Sequence, residues 1–268
     1  MKPNLSFNPE AVAALYDSIA DVYANYYPDY EKAVRSQGSA LAQVLRKHTS
    51  CSVERVLDCS CGIGTQAIGL ALNGVAVDGC DISPQSIQQA ERNAARFGVT
   101  TEFRVKDMRT LGDGMYPSAT YDAVISCGNS LAHLLEVNDL TRTLQGAQSL
   151  LKHGGIFCAA LTDHENKEPR DEQQFYDAHV KRDGEQRKTI NFQVWTWVTR
   201  GEIYICDDYT LIDGPSGSLN EAKRVTSPFR IWRKDYLFQM AESLGFSSAQ
   251  WLLPAETEHH NPILVLHK

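Results

Sequence analysis

Residues Val56-Leu-Asp-Cys-Ser-Cys-Gly62-Ile-Gly64-Thr65 decide the fold. A short aliphatic run enters a turn with two glycines, and a helical stretch, Thr65 to Leu72, follows it. Such a turn lets a ligand approach bare backbone. The helix start adds free N–H groups and a partial positive charge. Seventeen residues after Gly64 comes Asp81, at the end of the next predicted strand, Val75 to Asp81. An acid there is placed to accept both ribose hydroxyls of an adenosine. A bare G-x-G is weak evidence, but with the second strand and its acid the reading is a nucleoside site.

Outward from this turn the same rhythm continues. Pro84 to Phe97 reads as a helix, and Thr101 to Val105, Tyr121 to Ser126 and Gly155 to Leu161 as strands. A helix from Glu136 to Leu151 fills the last gap. Strands alternating with helices predict a parallel sheet with crossover helices. Upstream, Pro9 to His48 reads as helical, broken at Pro28. Downstream, a polar connection from His164 to Gln186 leads to three β-branched and aromatic runs, Thr189–Thr199, Glu202–Ile212 and Lys223–Trp232. Turn signals between them predict an antiparallel meander. A helix from Lys234 to Leu244 and strands Ser247–Leu253 and Pro262–Leu266 close the chain. The fold class expected is a doubly wound, Rossmann-like α/β sheet. It divides into a helical lid (1–50), a core (51–162), an antiparallel subdomain over the acceptor site (163–233) and a C-terminal completion (234–268).

The bulk properties narrow the function. The chain has 268 residues, 43% hydrophobic and 22% charged, with a net charge of −7. No basic run stands out to follow a nucleic-acid backbone. No apolar stretch approaches the ~20 residues of a membrane span, and Met1 to Pro9 lacks a signal-peptide layout. Seven scattered cysteines form no repeated C-x-x-C pair, which argues against zinc and against a disulfide framework. A cytoplasmic protein handling a small molecule is expected, with neither nucleic acid nor membrane as partner and no metal.

Gly62-x-Gly64-x-x-Ala67 also fits the dinucleotide fingerprint. Two details oppose NAD: Asp58 precedes the turn, and Ser60-Cys61-Gly62 offers no clamp for a pyrophosphate. Asp107-Met108, closing the third strand, suits an adenine amino group and its flat face. Together, Asp58-x-Ser-Cys-Gly-x-Gly-Thr, Asp81-Ile82-Ser-Pro and Asp107-Met108 resemble the class I S-adenosylmethionine-dependent methyltransferases. The resemblance covers residues 53 to 161 by motif and the rest by layout. It implies S-adenosylmethionine as cofactor, with Ser60, Cys61, Gly62, Gly64 and Cys127 at the methionine end, Asp81 and Ile82 at the ribose, and Asp107 and Met108 around the adenine. Asp58 either reaches the cofactor amino group through water or orders its own turn.

Cys127-Gly-Asn129-Ser-Leu-Ala-His133-Leu is similar to a segment of the glycine N-methyltransferases and their relatives. The likeness implies Asn129 as an acceptor contact and His133 as a contact near the methionine end. In glycine-methylating relatives an arginine after the fifth strand pairs with the substrate carboxylate; here that place holds Thr162. A hydroxyl cannot form the bidentate pair, so glycine is a doubtful acceptor. Arg230 is a candidate substitute, and Asp163 or Glu165 would favour an acceptor bearing a cation. The Tyr16-Asp-x-x-Ala-x-x-Tyr23 phrase resembles the lid opening of small-molecule methyltransferases, with Tyr23 and Tyr27 as cofactor contacts. Arg35 is the candidate partner of the cofactor carboxylate. Trp195, Trp197, Tyr204, Tyr209, Phe229 and Trp232 read mainly as sheet packing or a homo-oligomer contact, with one or two expected on the acceptor wall.

The expected reaction is methyl transfer to a small molecule, most often at an amine nitrogen, with His133 or His164 as base for an oxygen or carbon acceptor. An NAD-dependent oxidoreductase and a non-catalytic S-adenosylmethionine-binding protein are the alternatives.

Overall fold

Strand β4 (Tyr121–Ser126) is buried at all six positions, and this places it at the centre of the molecule. A strand with both faces covered needs helices on each side. The computed structural model describes residues 9–164, 173–182, 188–214 and 219–268. Around β4 lie β1 (Arg55–Asp58), β2 (Ala76–Asp81), β3 (Glu102–Val105) and β5 (Leu151–Ala160). All pair in parallel. Two C-terminal strands, β10 (Ser248–Leu252) and β11 (Ile263–His267), complete seven in the order β10-β11-β5-β4-β1-β2-β3. β11 runs antiparallel to both β5 and β10. The chain steps from β1 outward through β2 and β3, then returns to β4 on the other side of β1. That reversal opens a crevice beyond the C-terminal ends of β1 and β4, where ligands of doubly wound sheets bind.

The crossover helices are α3 (Thr65–Leu72), α4 (Pro84–Phe97) and α5 (Val137–Leu150), with bounds close to the sequence reading. Their ends follow local chemistry. Ser83 accepts the Ser86 N–H at 3.0 Å, Pro84 takes the first helical turn, and Gly98 closes α4 in a left-handed conformation. On one side of the sheet the cover is α2 (Tyr30–His48), whose contact with α3 is unusually close. A Cβ on Gly38 would lie 2.4 Å from the backbone of Gly69, so the two helices touch main chain to main chain. A shorter helix, α1 (Pro9–Ile19), and a 3-10 turn, Tyr23–Tyr26, precede α2. Sequence reading placed a break at Pro28; the chain in fact leaves α1 nine residues earlier, at Ile19.

The meander has four antiparallel strands, not three: β6 (Gln173–Arg182), β7 (Lys188–Thr199), β8 (Ile203–Asp213) and β9 (Leu219–Arg230). The extra strand lies within the stretch expected to be a polar connection. Its pairing with β7 supplies backbone partners that its charged composition concealed. Trp195 stacks on Tyr204 at 4.1 Å, Trp197 meets the same ring at 5.6 Å, and Phe229 stacks on it at 5.4 Å. These aromatics therefore share one face, as their spacing predicts. No helix among the described residues is long and apolar enough to cross a membrane, and none of their His, Cys, Asp and Glu groups could hold a metal ion. The N-terminal reading of Met1 to Asn8 lies outside the described residues.

Candidate active site

A cavity of about 410 Å³ occupies the crevice, within the ~300–1,000 Å³ usual for small-molecule sites. The strand ends deliver Cys59, Ser60, Cys61, Gly62, Asp81, Asp107 and Cys127 to it. The cover adds Tyr16, Tyr23 and Tyr27, and the meander adds Val198, Ile203 and Pro228. Of the residues expected from sequence, Tyr23, Tyr27, Ser60, Cys61, Gly62, Asp81, Ile82, Asp107, Met108, Cys127 and His133 all line this one space.

Gly62 and Gly64 both have positive φ, at 51° and 88°. Such angles are cheap only for glycine. Gly62 lines the cavity, whereas Gly64 stands behind it as the cap of α3. Asp81 accepts the Gly62 N–H at 2.8 Å and the Ser83 N–H at 2.9 Å. A carboxylate has about four lone-pair sites, so these bonds leave acceptor capacity free on a side chain that lines the cavity. Burial pushes the Asp81 carboxyl up from its usual range, while those two N–H bonds pull it down.

Asp58 is buried behind the turn, and it is not on the cavity wall. One oxygen accepts weakly from the Ser60 N–H, at 3.4 Å; the other has no partner. Burial raises its carboxyl to about 7. A buried, orphaned carboxylate oxygen next to a ligand cavity fits a cationic amino group on the ligand, directly or through water. The Ser60 contact matches the reading in which Asp58 orders its own turn. The cysteines Cys59, Cys61 and Cys127 have thiols driven up by burial, so they pack as small apolar groups.

Asp107 is held by its own neighbour. Arg109 Nε donates to it at 2.9 Å and the Arg109 backbone N–H at 2.9 Å, and the guanidinium reaches on to Asp139 on α5 at 3.3 Å. This clamp fixes the carboxylate at the far end of the cavity and pins α5 to the loop after β3. Sequence reading missed Arg109 and Asp139, because a cross-element ion pair leaves no local pattern.

His133 sits at the meeting point of three elements. Its Nε2 shares a hydrogen bond with the Tyr16 hydroxyl at 2.7 Å, and its Nδ1 lies 3.3 Å from the Ser227 hydroxyl of β9. Phe229 packs on its ring at 4.4 Å. Burial lowers the imidazole to about 4, so it is neutral near pH 7. Burial also raises the Tyr16 hydroxyl, and the Asp81 carboxylate adds to that rise. The lid phrase contains Tyr16, but the sequence points only to Tyr23 and Tyr27 as its contacts. The seven-residue spacing of Tyr16 from Tyr23 could have signalled a shared face.

Several expected residues lie elsewhere. Arg35 is 57% exposed, paired with Glu31 at 3.0 Å, and off the cavity wall. On a helix, i and i+4 are neighbours, and the local acid claims the guanidinium. Asn129 adopts a left-handed backbone at φ 63°, and its side-chain oxygen accepts the Thr162 N–H at 3.1 Å. It ties the loop after β4 to the end of β5, while its neighbours Gly128 and Ser130 face the cavity. Arg230 donates to the Leu135 carbonyl at 2.6 Å and lies over Trp232, so it does not replace the absent arginine at Thr162. His164 packs against both Trp195 and Tyr204, at 5.5 and 5.9 Å, and neither it nor Asp163 is on the cavity wall. None of the described aromatic side chains of the meander lines the cavity; smaller residues do. Glu165 lies outside the described residues.

Residues 56–155 match the family model described as a methyltransferase domain. The chain carries a class I S-adenosylmethionine-dependent methyltransferase domain. This methyltransferase domain is 31% identical over 138 residues to a glycine/sarcosine N-methyltransferase of Parasynechococcus marenigrum, a match covering 52% of this chain and 46% of that protein. It is 33% identical over 106 residues to a ubiquinone biosynthesis O-methyltransferase of Methylocella silvestris, covering 40% and 39% respectively. The chain thus spans less than half the length of these curated relatives. In fold, the chain resembles CalS10 of Micromonospora echinaspora, described as an S-adenosylmethionine-bound amino pentose methyltransferase. The TM-score is 0.73 and the identity 15%, with 100% of this chain and 99% of that one covered.

Proposed function

We propose that the protein transfers a methyl group from S-adenosylmethionine to the nitrogen of a small-molecule amine. The observation that carries this reading is the convergence on one cavity of Asp81 and Gly62 at one side with the Tyr16–His133 pair at the other. Asp81 holds the ribose, the Asp107–Arg109 clamp bounds the adenine, and the orphaned Asp58 oxygen answers the amino group. When bound, the cofactor supplies an activated methyl on a sulfonium. The chain's task is to align the acceptor nitrogen with that carbon and exclude water. The nitrogen lone pair forms the new bond as the carbon–sulfur bond breaks. Sulfur keeps those electrons, and the nitrogen's proton leaves to water.

Nitrogen is favoured over oxygen by the state of the Tyr16–His133 pair on the cavity wall. A hydroxyl acceptor needs a base matched to the operating pH. His133, at about 4, is too weak a base for that work, and Tyr16, raised by burial, stays protonated. Neutral amines need no such base. Formation of S-adenosylhomocysteine with primary and secondary amines, set against matched phenols and alcohols, tests the proposal. Turnover confined to the hydroxyl compounds would move the reaction to oxygen. Binding of NAD in place of S-adenosylmethionine would remove the methyl-transfer reading altogether.

A further inference from the structure

The surfaces that the cover and the meander contribute to the cavity carry the rings of Tyr16, Tyr23 and Tyr27 and are otherwise aliphatic. Pro9 and Val12 come from α1, and Val198, Ile203 and Pro228 from β7, β8 and β9. The charged groups of the described wall lie apart from these, on the strand-end loops and the start of α5. They are the carboxylates of Asp81, Asp107, Glu136 and Asp139 and a single guanidinium, Arg109. That guanidinium is spent on Asp107 and Asp139. An anionic acceptor would enter an apolar space facing carboxylates, losing hydration with no described cation to replace it. An amine on an apolar body gains by burial along the aliphatic wall, at about 25 cal/mol per Å². The same desolvation favours its neutral, nucleophilic form. His133, neutral itself, adds no positive charge.

We infer that the acceptor is an amine carried on an apolar body and bearing neither carboxylate nor phosphate. This rests on the methyl-transfer reading above and narrows its substrate class, away from glycine and from phosphorylated amino compounds.

The test is calorimetric binding to the protein saturated with S-adenosylhomocysteine, using phenethylamine, its anionic isostere 3-phenylpropionate, and glycine as probes. Phenethylamine is expected to bind at least tenfold more tightly than 3-phenylpropionate, with glycine weaker still. Equal or tighter binding of the carboxylate, tighter binding of glycine, or no binding of phenethylamine up to 10-fold the S-adenosylhomocysteine concentration needed for saturation overturns the inference. Failure of S-adenosylhomocysteine itself to bind instead overturns the methyl-transfer reading, which keeps the two apart. As a second arm, Val198→Lys puts a cation on the aliphatic wall and is expected to shift the probe ratio at least tenfold toward 3-phenylpropionate. An unchanged ratio in a variant that still binds S-adenosylhomocysteine shows that this wall does not meet the acceptor.

Discussion

The Tyr16 hydroxyl lies 2.7 Å from Nε2 of His133, a hydrogen bond spanning 117 positions of sequence. It joins the first described helix to the loop after β4, and it closes the cavity between them. Nearby, Asp17 accepts from the Ser83 hydroxyl at 2.6 Å and from the Gln85 N–H at 2.9 Å, so the same helix also docks on the start of α4.

If the Tyr16–His133 bond holds the cavity shut, Tyr16→Phe removes one hydrogen bond while keeping the ring. A net loss of about 1 kcal/mol is expected, read by calorimetry as a roughly fivefold weaker affinity for S-adenosylhomocysteine. Unchanged affinity in the variant would show that closure does not depend on this contact.

His133 gives an acid dependence of defined sign. In the unfolded chain its imidazole takes a proton near pH 6.5, whereas the folded protein refuses it down to about 4. The unfolded state binds more protons in that window, so stability falls as pH drops from about 6.5 to 4, by up to about 3 kcal/mol. Urea unfolding of wild type and His133→Gln at pH 7.5 and 4.5 isolates this component. The wild type should lose more stability on acidification than the variant does.

Asp58 works in the opposite direction. Its folded carboxyl keeps a proton to about pH 7, while the unfolded one ionises near 3.8. The folded state therefore binds more protons in between, and stability declines as pH rises through that range. Asp58→Asn removes the penalty. In ligand-free protein its Tm relative to wild type should be higher at pH 8 than at pH 5. The same substitution should weaken S-adenosylmethionine binding by removing the partner offered to its amino group.

Gly38→Ala addresses the fold alone. The added methyl would sit 2.4 Å from the Gly69 backbone, where no flexible side chain can yield. Forced separation of α2 from α3 should cost about 1–3 kcal/mol, seen as a lower Tm. A neutral result would mean that the two helices can part without loss.

What could be read in the sequence follows from what is local. The glycine turn, Asp81 and the strand–helix rhythm are set by spacing within one supersecondary unit, and the sheet follows from them; other cavity residues, Tyr23, Tyr27, Cys127 and His133 among them, are reached only through the family resemblance. Asn129 and Arg35 lie off the cavity wall, because the Thr162 N–H and Glu31 engage them elsewhere. The Arg109–Asp139 pair spans two elements, and the aliphatic wall draws on α1 and three meander strands. Neither has a periodicity: the pair forms when α5 packs on the loop after β3, and the wall when α1 and the meander cover the crevice. β6 was hidden for a related reason: charged residues on an edge strand read as a connection.

The contact between Gly38 and Gly69 also divides the cover into two kinds of attachment. Helix α2 is seated on α3 main chain against main chain, where nothing can give. The short arm ahead of Asp29, α1 with the tyrosine-rich turn after it, is fastened instead by the side-chain hydrogen bonds of Tyr16 and Asp17. One half of the cover belongs to the core, and the other is tied on by bonds that single substitutions can cut.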